Sequence, residues 1–339
     1  MKVLIYQKKQ KMLSKSGIGT AFKQQRKALT LNGVTLVDNL VEADIVHYNT
    51  VFRDAYKSMK KAKKLGKHVV VHGHSTKEDY LNSFNFAPLL KRWFYRRLKL
   101  MYSNADVIIT VSPYAKGLIN GYGWTKAPLY AISNGLDIKE YQRDDKKVQQ
   151  FLKHFNLTKE DKVIIGIGFL FPRKGVHDFI EIAKSFPEIT FIWFGTLNKL
   201  ARTRVIRKAI KNKPDNVIMP GYIKGDVIKG ALTFSKALLF PSYEETEGIV
   251  VLEAMASKTP VLLRNIPVYD VFKDGREVLK ANNNNEFIEN IKRVINENMD
   301  VMVDNAYQSV IKKDLKEVGK EIKKVYNNLL GSSDENDLS

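Results

Sequence analysis

The sequence contains no cysteine. That excludes disulfides, thiolate metal sites and a cysteine nucleophile, and it suits a reducing cytoplasm. Long apolar runs are missing too: none approaches the roughly 18 residues of a transmembrane helix. The opening MKVLIYQKK has too few apolar residues ahead of its lysines for a secretory leader. The expected protein is soluble or lies on a membrane surface. Acidic residues are the third shortage: 36 Asp and Glu stand against 56 Lys and Arg in 339 residues, a net charge of +20. Residues 1–145 hold 25 Lys and Arg against 11 Asp and Glu, an excess of 14. The basic surface therefore lies in the N-terminal part and faces something anionic, nucleic acid or lipid.

What is present is a globular, two-domain composition, 44% hydrophobic and 10% aromatic. Short Val- and Ile-rich runs alternate with helical patterns. VLIY (Val3 to Tyr6), IVHY (Ile45 to Tyr48), HVVVH (His68 to His72), VIITV (Val107 to Val111) and LYAI (Leu129 to Ile132) mark the first part. VIIGIG (Val163 to Gly168), TFIWFG (Thr190 to Gly195), VIMPG (Val217 to Gly221), ALLFPS (Ala237 to Ser242) and VLL (Val261 to Leu263) mark the second. Continuous apolar strands separated by helices predict parallel sheets covered on both faces. Two such series predict an α/β protein of two Rossmann-like, doubly wound domains facing an interdomain cleft. The expected divisions are an N-terminal domain over 1–140 and a second domain over 141–304. A helix over 305–330 is expected to return to the first domain, and 331–339 forms a disordered tail. The polar stretch Lys139 to Gln150 reads as the linker, its Asp144-Asp145 as a solvated pair. The Asn run at 282–285 reads as a surface loop.

The most informative segment is PSYEETEGIVVLEAMASKTPV, Pro241 to Val261. A strand ends, an acidic loop follows, and a helix begins near Gly248, whose free N–H groups offer a site for a diphosphate. Glu245 lies in the loop and Glu253 inside the helix, seven residues apart. A carboxylate accepts from two vicinal hydroxyls at once, the pattern that ribose and a hexose present. Glu253 is placed for the ribose and Glu245 for the sugar. Alone, Glu245 would more often be a charge favouring the helix start, and the flanking Glu244 and Glu247 read as that. Glu253 on an apolar helix is harder to explain without a partner. Arg173 and Lys174, between a strand and a helix, suit a phosphate, although an isolated basic pair is usually a solvated loop. Gly17-Ile18-Gly19 allows close backbone approach to a phosphate or sugar. His72 and His74 stand at a strand's carboxyl end, with no third ligand at a spacing that suits zinc.

These segments resemble glycosyltransferase family 4, retaining enzymes of the GT-B fold. The stretch from Glu245 to Glu253 is similar to the family's E-x7-E signature. SKSGIGTA (Ser14 to Ala21) resembles its Gly-rich first loop, SNGLD (Ser133 to Asp137) its Asn-Gly-x-Asp, and GFLFPRKG (Gly168 to Gly175) its phosphate loop. Lys174 matches the family lysine. Phe169 stands where the family has arginine, and Arg173 is the candidate substitute. Thr246-Glu247-Gly248 replaces the usual Gly-Phe-Gly, which alters the hexose pocket.

The resemblance implies His74, Glu245, Arg173 and Lys174 as catalytic residues. Gly17, Gly19, Thr246, Glu247, Gly248, Ile249 and Glu253 are implied to bind the donor, with His72 and Asn134 as secondary contacts. A UDP-hexose would be the substrate, and neither a cofactor nor a metal is expected.

LLKRWFYRRLKLMY, Leu89 to Tyr102, interleaves Lys91, Arg92, Arg96, Arg97 and Lys99 with Trp93 and other apolar residues. Such a helix suits an anionic membrane surface, and it reads equally as a core helix through Phe94, Leu98 and Met101. Both hold if one face is buried. HGHSTKEDYLNSF, FIWFG, PGYIKGDV and EETEGIVVLEA are similar to glycolipid synthases of Firmicutes, which add galactose or glucose to monoglucosyl-diacylglycerol. The product there is the lipoteichoic acid anchor. That implies a glycolipid acceptor and a place on the cytoplasmic side of the cell membrane. Rival readings are a polysaccharide or protein acceptor, a UDP-sugar epimerase of the same architecture, and a nucleic-acid-binding protein. The last lacks any recognisable binding motif.

Overall fold

The computed structural model describes residues 1–6, 17–81, 83 and 87–331 of the chain. They form two compact units, one of residues 1–77, 90–136 and 313 onward, the other of 78–89 and 137–312.

The first unit is a six-stranded parallel sheet. Its strands are β1 (Lys2–Tyr6), β2 (Thr35–Leu36), β3 (Ile45–Tyr48), β4 (His68–Gly73), β5 (Val107–Thr110) and β6 (Leu129–Ala131), ordered β2-β1-β3-β4-β5-β6. Strand alternation sends Val69 and Val71 into one apolar core and Val70 into another, on the opposite face. Sheets covered on both sides need this unbroken Val/Ile composition.

The second unit repeats the plan with β7 (Val163–Ile167), β8 (Thr190–Phe194), β9 (Val217–Gly221), β10 (Ala237–Phe240), β11 (Val261–Arg264) and β12 (Leu279–Ala281). Its order is β12-β11-β10-β7-β8-β9, all parallel. The order reverses between β7 and β10, so the loops leaving those two strands flank the crevice where such sheets bind ligands. Gly166 leaves room for Trp193: a Cβ there would sit 2.4 Å from the indole.

All ten expected strands are present. β2 and β12 are additions, edge strands of two and three residues, too short to show a period.

Several local expectations are corrected. The supposed linker is ordered: Ile138–Tyr141 is a 3₁₀ turn and Asp145–Phe155 a helix. Asp144 caps that helix by accepting from the Lys146 N–H, so the Asp pair is a helix start. The Asn run starts another helix, Asn284–Asn296, with Asn283 accepting from the Glu286 N–H. The helix expected over 305–330 is two, Asp300–Ile311 and Leu315–Leu330, separated where Asp314 caps the second. The second packs in the first unit, where Gly319 crosses Ala28 so closely that a Cβ would lie 2.3 Å from its carbonyl. Gly17 and Gly19 lie in the first turn of the helix Gly17–Leu31 and not in a loop. Ser14 to Ser16 of that motif, and 332–339 of the tail, lie outside the described residues.

Candidate functional site

In the second unit the chain leaves β7 through Gly168 and folds Pro172–Lys174 into a 3₁₀ turn ended by Gly175 at φ +70°. A Cβ on Gly175 would stand 2.2 Å from the Pro241 carbonyl oxygen. Only glycine therefore lets this loop lie against the end of β10. The Tyr243 N–H donates to the Arg173 carbonyl at 2.7 Å, tying the two loops together.

That docking brings the basic pair onto the first glutamate. The Lys174 ammonium donates to Oε1 of Glu245, and the Arg173 guanidinium stands 3.8 Å from the same oxygen. Arg173 is fixed further by Asp79 at 2.6 Å, Ser83 Oγ at 3.0 Å and the Glu244 carbonyl at 2.9 Å. Its side chain is only 10% exposed, so it points into the cluster. Phe169, at the arginine position of the family, instead packs its ring 5.3 Å from that of Phe171.

Burial pushes the Glu245 carboxyl up, but Lys174 and Arg173 more than offset this, and its pKa ends below the usual value. Burial lowers Lys174, with Glu245 opposing only in part. For Asp79, burial outweighs Arg173 and leaves the carboxyl raised. Of the three glutamates read as helix-start charges, Glu245 and Glu247 are each only 6% exposed, unlike solvated groups.

Gly248, at φ +80°, turns the chain into the helix Ile249–Ala256, so the first N–H groups of Ile249 and Val250 have no carbonyl a turn earlier. Thr246 lies half-buried in the same loop. Glu253, a turn into the helix, accepts at Oε1 from the Tyr141 hydroxyl at 2.6 Å. Burial raises its pKa, while Tyr141 and the Lys229 ammonium act to lower it.

Behind this cluster Arg264 spans Asp178 at 2.8 Å, the Pro241 carbonyl at 3.1 Å and the Asn282 carbonyl at 3.1 Å. Its guanidinium also lies 3.9 Å above the Tyr243 ring. From the end of β11 it braces the chain where it leaves β10 and β12.

The first unit gathers His47 from β3 with His72 and His74 from the end of β4. The rings of His72 and His74 stack at 4.2 Å, those of His47 and His72 at 5.2 Å. Gln25 Oε1 accepts from Asn49 Nδ2 at 2.7 Å, which turns the Gln25 amide nitrogen toward His47 at 3.0 Å. Asn49 Oδ1 then faces Nε2 of His74 at 2.9 Å. Since that oxygen can only accept, the His74 proton sits on Nε2 and its Nδ1 is the acceptor. Tyr326, from the C-terminal helix, places its hydroxyl 2.5 Å from Nδ1 of His47. Burial holds His47 and His74 down to about 3 and His72 well below the ordinary value. All three imidazoles are neutral at pH 7. His72 stacks on His74, and its buried Nε2 has no hydrogen-bond partner among the described residues. Asn134 is buried beside Gly135, in the turn after β6.

The helix Ala87–Tyr102 has two faces. Leu98, Met101 and Tyr102 are fully buried in the first unit's core, whereas Leu89 is 82% and Trp93 50% exposed. Lys91, Arg92, Arg96 and Lys99 are exposed, and Arg97 lies 5.6 Å over the Trp93 ring.

Sequence comparison fits both units. The pattern described as "Glycosyl transferases group 1" matches residues 148–313, and "Glycosyltransferase Family 4" matches 21–140. The "Processive diacylglycerol alpha-glucosyltransferase" of Acholeplasma laidlawii is 47% identical over 332 residues, spanning 97% of this chain and 99% of that one. This chain belongs to glycosyltransferase family 4. The "Alpha-galactosylglucosyldiacylglycerol synthase" of Streptococcus pneumoniae is 26% identical, spanning 86% of this chain and 76% of that one. Among solved structures, Anabaena HepE in complex with UDP and glucose superposes with a TM-score of 0.78 at 16% identity, covering 97% of this chain and all of that one. The fold is thus GT-B, and the transferase has the paired Rossmann-like sheets its sequence predicts.

Sequence reasoning missed Asp79, Tyr141, Gln25, Asn49, His47 and Arg264. Asp79 lies within HGHSTKEDYLNSF and His47 within the strand IVHY, but each of the six is defined by which partner the fold delivers to it.

Proposed function

We propose that this transferase moves a hexose from UDP-hexose to monoglucosyl-diacylglycerol, with retention at the anomeric carbon, on the cytoplasmic face of the membrane. The observation that carries the reading is the Lys174–Arg173–Glu245 cluster at the β7/β10 switch point, beside the open N-terminus of the helix Ile249–Ala256. Departure of the diphosphate builds negative charge on its oxygens. Lys174, Arg173 and the N–H groups after Gly248 offset that charge, and Glu245 orients the hexose. His74 contributes a fixed acceptor at Nδ1 for a sugar hydroxyl. Glu253 takes the ribose hydroxyls. Gly17, Gly19, Thr246, Glu247, Gly248 and Ile249 complete the proposed donor contacts, with Asn134 and His72 as secondary ones. The acceptor hydroxyl enters on the face that the leaving group vacates, so no enzyme nucleophile takes part. The reading gives diphosphate neutralisation to this cationic cluster and requires no metal.

The two relatives, a diacylglycerol glucosyltransferase and a galactosylglucosyldiacylglycerol synthase, support a diacylglycerol-based acceptor. The 47%-identical one favours glucose as the sugar and widens the acceptors to diacylglycerol itself. The exposed Leu89, Trp93, Lys91, Arg92, Arg96 and Lys99 support contact with an anionic bilayer. No described helix is long and apolar enough to cross one. The test is transfer from UDP-glucose and from UDP-galactose to diacylglycerol or monoglucosyl-diacylglycerol in anionic vesicles. A glycosylated lipid product supports the reading. Conversion of the UDP-sugar without acceptor, or transfer only to a polysaccharide or protein, contradicts it.

A further inference from the structure

We infer that Tyr141 is a positioning residue, whose hydroxyl clamps the Glu253 carboxylate in the orientation that recognises the vicinal hydroxyls of the donor's ribose. This rests on the ribose role proposed above for Glu253.

The helix Ile249–Ala256 reads IVVLEAMA, and Glu253 is its one titratable side chain. A half-buried carboxylate in such surroundings needs a donor. Tyr141 supplies it from another element, 112 residues away in sequence, at 2.6 Å to Oε1. Oε2 takes no hydrogen bond from the described residues. The bond fixes the plane of the carboxylate, so that Oε2 and the second lone pair of Oε1 are held in set directions from which to accept from two neighbouring hydroxyls. A carboxylate free to rotate would lose that preorganisation.

The donor itself is held from behind. Tyr141 closes the 3₁₀ turn Ile138–Tyr141, and the Lys229 ammonium lies 5.7 Å over its ring while pairing with Glu140 at 2.5 Å. Lys229 comes from the helix Asp226–Phe234, which packs tightly on Asp145–Phe155. A Cβ at Gly230 would sit 2.0 Å from the Lys147 carbonyl oxygen. The turn, its tyrosine and the carboxylate thus form a supported chain ending at one open oxygen. Burial raises the Glu253 pKa, and the hydrogen bond from Tyr141 opposes that shift by favouring the charged form.

The experiment compares dissociation constants of UDP and 2′-deoxy-UDP by calorimetry for the wild type, Tyr141→Phe and Glu253→Gln. Phenylalanine keeps the ring and removes only the hydroxyl, and thermal melts confirm that each variant is folded. The wild type is expected to prefer UDP by roughly tenfold or more, the scale of a hydrogen bond to a charged group. Tyr141→Phe should reduce that preference to about threefold or less, and Glu253→Gln to near parity. The acid-side loss of UDP affinity should also move to higher pH in Tyr141→Phe, because Glu253 loses a donor that favours its charged form. If Tyr141→Phe weakens both ligands equally and keeps the wild-type ratio while Glu253→Gln abolishes it, the tyrosine is merely structural and the inference is overturned. If Glu253→Gln also keeps the ratio, it is the ribose assignment that fails.

Discussion

Lys174 and Glu245, 71 positions apart in sequence, are in direct contact between the loops that leave β7 and β10. Arg173 and Asp79 join them, so two cations and two carboxylates share one largely buried cluster. A buried ion pair is stable only with its partners present, and removing one member commonly costs about 3–5 kcal/mol. The contact therefore reads as a site poised for charge, with Glu245 held as an anion beside the groups proposed to meet the diphosphate.

Asp79 is the group that competes with a diphosphate for Arg173. Replacing it with Asn removes a negative charge from the cluster while leaving a polar partner 2.6 Å from the guanidinium. Asp79→Asn should bind UDP several-fold more tightly in calorimetry and melt at a lower temperature. Weaker UDP binding would mean that Asp79 aligns Arg173 and does not oppose the ligand.

The histidine stack makes stability depend on pH in a defined direction. Unfolded imidazoles titrate near 6.5, whereas His47 and His74 resist protonation in the fold down to about 3. Between those values the unfolded chain binds more protons. Stability is therefore complete above about pH 6.5 and falls as the pH drops toward 3. Urea midpoints should decline between pH 6.5 and 5, a window in which ordinary carboxylates stay ionised. His47→Gln should make that decline shallower. A flat wild-type profile would contradict the buried, neutral assignment.

The helix Ala87–Tyr102 gives a prediction separable from chemistry. Arg96→Glu with Arg97→Glu should weaken binding to anionic vesicles, more at low salt than at high, because screening already removes part of the attraction. Each basic residue near such a surface is worth about 1 kcal/mol, so reversing two should lower partitioning by well over tenfold. Vesicle co-sedimentation reads this directly. Unchanged binding removes the membrane contact and leaves the donor site untouched.

The fold was legible in the sequence because buried parallel strands must be continuously apolar, as in HVVVH and VIIGIG. Edge strands β2 and β12 carry too few residues to leave such a trace. Arg173, Lys174 and Glu245 could be singled out because they follow strands, where loops reach a crevice, and Glu253 because it is a lone carboxylate in an apolar helix. Asp79 could not, since nothing near it in sequence indicates that residues 78–89 pack with the second unit. Tyr141 fell within an apparent linker whose polarity hid a 3₁₀ turn. His74 was visible, but its tautomer depends on Gln25 and Asn49, contributed by a helix and by the end of a different strand.

The most direct test of the whole account is hexose transfer from UDP-hexose by Lys174→Ala and Glu245→Ala, each shown to be folded by thermal melting. Loss of Lys174 should remove about 3 kcal/mol or more of transition-state stabilisation, roughly a hundredfold in kcat. Glu245→Ala should fall by a comparable factor. Normal turnover in both variants would contradict the assignment of this cluster as the donor site.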